Sequence, residues 1–182
     1  MIEVFAYAFL VMSAVGFLAS LVSHVYALLG LDGPLGDRTM LLHVGIFIVW
    51  IPAILASRRL VRDVPQKDMW KATLRGCPEW MRYAFYGLFG YTFLNFALFM
   101  FRGAGRSTPG GGGAAAPSVV RGFSGHWMLF YFAAFAMLYS YVHVEGAGPR
   151  RCAGGHEVGP LAKFCERCGA PVVETVPGTS PR

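Results

Sequence analysis

The chain has 182 residues, of which 55% are hydrophobic, 15% aromatic and only 14% charged, with a formal net charge of +6. An ordinary soluble domain carries roughly 25% charged residues. This composition therefore excludes a conventional water-soluble fold and also a charged, disordered chain.

Four apolar runs stand out, from Val4 to about Leu29, Met40 to Ser57, Tyr83 to Phe101 and Trp127 to Val144, each free of Lys, Arg, Asp and Glu. A helix of about 18 residues or more without charge is long enough to cross a hydrocarbon core. The fold class expected is an all-α membrane protein. Four transmembrane helices over about residues 4–29, 40–60, 80–101 and 125–145 would form a bundle within a domain spanning 1–148. The first run lacks the basic segment of a secretory signal and carries Glu3 instead, so a retained helix is expected. Pro52 should kink the second helix.

The connections differ in character. "LDGPLGDRT" is short and makes an antiparallel hairpin of the first two helices. In the middle connection Lys67, Lys71 and Arg75 recur every four residues, with Trp70 and Leu74 on an adjacent stripe. Pro65 could open this segment and Gly76 with Pro78 could close it. That pattern predicts an interfacial helix over about 65–75, its Lys stems lying along the lipid surface. The third connection, 102–122, is Gly-rich, has no apolar period and reads as a flexible loop. Residues 174–182 read as a disordered tail.

Lys and Arg set the orientation. Arg58, Arg59, Arg62, Lys67, Lys71, Arg75 and Arg82 fall on one side with Arg150, Arg151, Lys163, Arg167 and Arg182. Arg38, Arg102, Arg106 and Arg121 fall on the other. Twelve against four places both termini in the cytoplasm, in the inner (plasma) membrane of a bacterium. The positive net charge is then largely a topology signal, and nucleic acid is not an expected partner.

After the fourth helix comes "CAGGHEVGPLAKFCERCGAPV", which offers Cys152, His156, Cys165 and Cys168 on two short Gly-rich turns. Four soft or borderline donors suit tetrahedral zinc, and short chelating turns supply them at low loop-closure cost. Cysteines in a reducing compartment are metal ligands more often than disulfides. The tail resembles the short zinc-ribbon tails of many prokaryotic proteins, often found beside membrane helices. The resemblance covers residues 152 to about 173. It implies a small C-terminal zinc-ribbon β-hairpin over 149–173 holding a structural Zn2+. The commonest form of that motif has two C-x-x-C knuckles. Here Gly155 stands where the second cysteine would be, which leaves either a Cys3His site completed by His156 or a degenerate ribbon. Cys77 has no such company and reads as an ordinary thiol.

Within the membrane runs, His24, His43 and His126 are expected near one depth, toward the outer face. Neutral imidazoles bind haem iron, zinc or copper, so these three are the candidates for a haem or second metal site. His24 also lies on the small-residue ladder Met12, Gly16, Ser20. Three functions follow. The first is a non-enzymatic interaction or assembly factor that meets a protein partner through the zinc ribbon. The second is a small haem- or metal-binding redox protein using His24, His43 and His126. The third and weakest is a channel formed as a homo-oligomer. No Walker loop, nucleophile elbow or H-E-x-x-H segment supports hydrolysis.

Overall fold

The computed structural model describes residues 2–61, 64–101, 117–146, 150–159 and 162–172. Helix α1 runs Ile2–Leu28, α2 Leu41–Leu60, α3 Met69–Thr73, α4 Glu79–Phe101 and α5 Pro117–Gly146. Four of them, all but α3, are long and apolar enough to cross a membrane. Short 3-10 turns at Gly36–Met40 and Gln66–Asp68 lead into α2 and α3.

Helix α5 is the hub. Of its most apolar window 61% is buried, against 22%, 22% and 17% for α1, α2 and α4. Its sequence explains this, because bulky and small residues alternate around the whole cylinder. Trp127, Met128, Tyr131, Leu138 and Tyr141 fill space, while Ser124, Ala133, Ala134, Ala136 and Ser140 let neighbours approach. A helix apolar on all sides belongs at the centre of a bundle.

Helix α1 meets α5 through a face of small residues, as the sequence suggested: Gly16, Ser20 and His24 of the expected ladder are buried, and only its Met12 is not. Ser13, Ser20 and Ser23 are buried with Ala6 and Ala27, while Met12 is exposed. A Cβ on Gly16 would overlap the Tyr131 ring, so only glycine permits this approach. The serine hydroxyls donate to carbonyls four residues back, Ser13 to Phe9, Ser20 to Gly16 and Ser23 to Ala19, at 2.7–2.9 Å. They are thereby satisfied without water.

Cross-helix hydrogen bonds fix the directions. Asn95 Nδ2 donates to the Arg121 carbonyl at 2.8 Å and Thr92 to that of Gly125 at 3.0 Å. Near the other end, the Gly76 N–H donates to Ser140 Oγ at 3.0 Å, so α4 runs antiparallel to α5. Trp127 Nε1 donates to His43 and Arg59 to Tyr141, each at 3.0 Å, so α2 runs parallel to α5. One end of the bundle therefore holds the α2–α4 junction and the C-terminus of α5. The opposite end holds the α1–α2 loop.

Helix α5 begins at Pro117, eight residues before the expected start and inside the stretch expected to be loop. Proline is pre-organised for the first turn of a helix. Val120 is buried in the core cluster with Ala27, Ile46 and Trp127, so the early turns have an apolar face to bury. Residues 102–116 and 173–182, where the flexible loop and disordered tail were expected, lie outside the described residues.

The expected interfacial helix over 65–75 falls in the same stretch but is shorter. It comprises one 3-10 turn and the five-residue α3. Trp70 and Leu74 do not share an environment, since Trp70 is exposed and Leu74 is buried with Cys77, Met81 and Ala136. The segment is docked on α5. Beyond the Gly76 bond, Cys77 Sγ donates to the Ala136 carbonyl at 3.2 Å. Arg82 reaches back to the carbonyls of Leu74, Arg75 and Cys77. A Cβ on Gly76 would stand 2.7 Å from the Ser140 carbonyl oxygen and 2.9 Å from its Cα, both backbone atoms with little room to yield. Gly76→Ala is therefore expected to cost about 1–3 kcal/mol, seen as a lower unfolding temperature in detergent. An unchanged temperature would mean the segment does not dock there.

Candidate metal centre

Residues 150–159 and 162–172 carry two turns, each closed on itself. In the first, the Cys152 N–H donates to the His156 carbonyl at 3.0 Å and the Gly155 N–H to the Cys152 carbonyl at 2.9 Å. Gly155 has φ +77°, a conformation costly for any residue with a Cβ. In the second, the Cys165 N–H donates to Ala170 and the Gly169 N–H to Cys165, each at 2.8 Å, with Gly169 at φ +69°. Two isolated β-bridges, Arg151 with Glu157 and Phe164 with Pro171, flank the turns. The expected β-hairpin does not appear as strands among the described residues. Each turn is too short to propagate a ladder beyond its own bridge.

The turns present their side chains to one another. The ligand atoms of Cys152, His156, Cys165 and Cys168 all lie within 4.8 Å of one another. Cys152 Sγ is 3.6 Å from Cys168 Sγ and 3.6 Å from His156 Nδ1, and Cys165 Sγ is 3.8 Å from His156 Nδ1. A tetrahedron with Zn–S of ~2.3 Å and Zn–N of ~2.0 Å has S–S edges of about 3.8 Å and S–N edges of about 3.5 Å. The donor set fits a metal of that size, with Nδ1 as the imidazole ligand. Gly154 completes the cradle, since a Cβ there would stand 3.4 Å from His156 Nδ1 and 3.6 Å from Cys168 Sγ. That close approach was not legible from the C-x-x-C spacing.

Thiolate chemistry is favoured at one position. Burial works to raise the Cys165 thiol, but the N–H groups of Cys168 and Arg167 and the neighbouring thiols outweigh it and bring it down to about 6. Thiolate is the form that ligates metal. Cys77 contrasts with it. Burial pushes its thiol up to about 12, against the opposing pull of Arg82, as expected for an inert structural thiol.

The membrane-region histidines are not assembled into a comparable group. Among the described residues, the tail set alone brings three or more His, Cys, Asp or Glu ligand atoms that close. His24 is buried, with Nδ1 at 2.6 Å from Ser124 Oγ and Nε2 bonded to Tyr91 OH. His43 Nδ1 accepts from Trp127, which leaves the proton of a neutral ring on Nε2. His126 sits edge-on to Phe96, with Nδ1 buried and unpaired. The expected convergence of His24, His43 and His126 is not seen as a ready-made ligand group among the described residues: His24 bonds Ser124 and Tyr91, His43 bonds Trp127, and His126 stands against Phe96. Ser124 and Trp127, the partners that occupy His24 and His43, carried no local signal. Their pairing depends on helix register rather than on neighbouring residues.

Fold and site together define a class: a helical protein with four helices of membrane-spanning length and apolarity, ending in a Cys3His group able to bind a metal ion. No family model, no curated protein and no solved structure matches the chain.

Proposed function

We propose that the protein is a non-enzymatic, multi-pass protein of a bacterial inner membrane whose cytoplasmic tail holds a structural zinc and docks a protein partner. The observation that carries this reading is the four-ligand cluster. All its positions are filled by side chains, so no coordination site is left open for a substrate. The zinc would polarise nothing. It would replace the hydrophobic core that so short a segment lacks, holding two glycine-bearing turns in one shape. Cys152, Cys165 and Cys168 would bind as thiolates and His156 through Nδ1. Zinc, rather than a harder cation, is favoured by the sulfur-rich donor set.

Docking is supported by what the turns leave outside. Phe164 is 63% exposed beside the cluster residue Cys165, and an aromatic side chain on a rigid turn is a typical interface anchor. A photo-crosslinking residue placed at Phe164 in cells should capture a discrete partner, and the product should vanish when Cys168→Ser is added. Crosslinks to lipid or nothing, or a product unaffected by the second change, would overturn the docking role.

The orientation rests on charge alone. Reporter fusions after residue 150 are expected to report a cytoplasmic location, and fusions within 104–118 an external one. The reverse pattern would remove the reducing environment the thiolates require.

A further inference from the structure

The junction end of the bundle is electrically unlike the opposite end. Between residues 58 and 82 the described residues include six cations, Arg58, Arg59, Lys67, Lys71, Arg75 and Arg82, against two carboxylates, Asp68 and Glu79. At the opposite end Arg38 and Arg121 are matched by Asp32 and Asp37. The six cations are not equally occupied. Arg75 donates to the Leu60 carbonyl and Arg82 to carbonyls of the junction, so both serve the fold. Arg59 bonds to Tyr141, and Lys71 forms an exposed ion pair with Asp68 at 3.0 Å. Arg58 and Lys67 are exposed and have no bonding partner among the described residues.

Apolar surface adjoins this charge. Trp70 is 46% exposed and Trp80 62%. The Trp70 ring lies 5.3 Å from that of Phe85, six residues beyond the start of α4. At about 1.5 Å per residue, the Phe85 backbone stands about 9 Å from the start of α4, and its ring leans back toward that start. Trp70 therefore lies alongside the opening turns of α4, between the exposed Lys67 and Lys71 in sequence. Docking on α5 holds this arrangement rigid, so little ordering would be needed on binding. Exposed cations beside exposed indole rings in one segment match a lipid with an anionic headgroup, which presents phosphate charge directly above its acyl chains.

We propose that the junction end binds anionic phospholipid, with Arg58 and Lys67 as the principal headgroup contacts, Arg59 and Lys71 flanking them, and Trp70 against the acyl chain. The inference rests on the membrane reading above and adds a lipid class to it. Arg58→Gln/Lys67→Gln changes only exposed side chains with no hydrogen bond or ion pair among the described residues, so the fold should be unaffected.

The test uses the full chain purified in a neutral detergent. Phosphatidylglycerol, phosphatidylcholine or inorganic phosphate is titrated in, with bound lipid read by native mass spectrometry and stability by thermal unfolding. Phosphatidylglycerol should be retained and should raise the unfolding temperature, while phosphatidylcholine and phosphate should do neither. The double variant should bind it more weakly, by about fivefold per removed cation, whereas Arg38→Gln at the opposite end should not. Equal binding of both lipids, an equal effect of inorganic phosphate, or an unchanged double variant would each overturn the proposal. Recovery of the protein in the soluble fraction would instead refute the membrane reading itself.

Discussion

Cys165→Ser is expected to abolish metal binding and unfold residues 150–172 while leaving the helical bundle intact. The tail has no apolar core, and its described backbone bonds close two separate turns rather than joining them. Besides Arg150, whose guanidinium donates to the Ala162 carbonyl at 3.5 Å, the cluster of ligands links the turns, so most of the tail's folding energy would come from metal binding. Structural zinc contributes about 10–16 kcal/mol in small metal-dependent domains. Serine retains the size but not the thiolate, and it removes the thiol already closest to ionisation. His156→Ala should be milder, because three thiolates would still hold the ion. Elemental analysis reads the stoichiometry, and limited proteolysis reads the tail. Unchanged metal content in Cys165→Ser would show that the ligands lie elsewhere.

The second large effect belongs to the bundle. Trp127 is fully buried against α1 and α2, and its indole N–H donates to His43. Trp127→Ala would open a cavity where the hub helix meets its neighbours, at about 3–5 kcal/mol. It would also leave His43 Nδ1 without its donor, adding roughly 1–3 kcal/mol if water cannot reach it. Trp127→Phe keeps most of the volume and loses only the hydrogen bond. Thermal unfolding in detergent should therefore rank wild type above Phe and Phe well above Ala. A tolerated alanine would mean α5 is not the centre of the bundle.

The parts of the structure that the sequence made legible are those governed by composition and short spacing. Four uncharged runs place four long helices within a few residues at every end except the start of α5, because helix length and apolarity are summed locally. Cys152, His156, Cys165 and Cys168 come together because ligands four and three residues apart on glycine turns have few other ways to point. What depended on register was not legible. The apolar stripe of Trp70 and Leu74 looks continuous on a helical wheel. Yet the helix stops after Thr73, and the chain turns Leu74 and Cys77 into α5 while leaving Trp70 outside. The Gly-rich connection hides the start of α5, since Pro117 and Val120 find their partners only across the bundle. The three histidines share a half of the bundle by arithmetic on helix lengths. That arithmetic contains no information on which way each ring faces.

The most direct measurement of the central claim is the metal content of the full chain extracted from carbonate-washed membranes and purified without added metal. The account predicts recovery in the washed membrane fraction with one zinc per chain, lost together with the Cys165 thiolate. Protein stripped from the membrane by carbonate, or membrane-embedded protein that carries no metal while its tail thiols remain reduced, would contradict it.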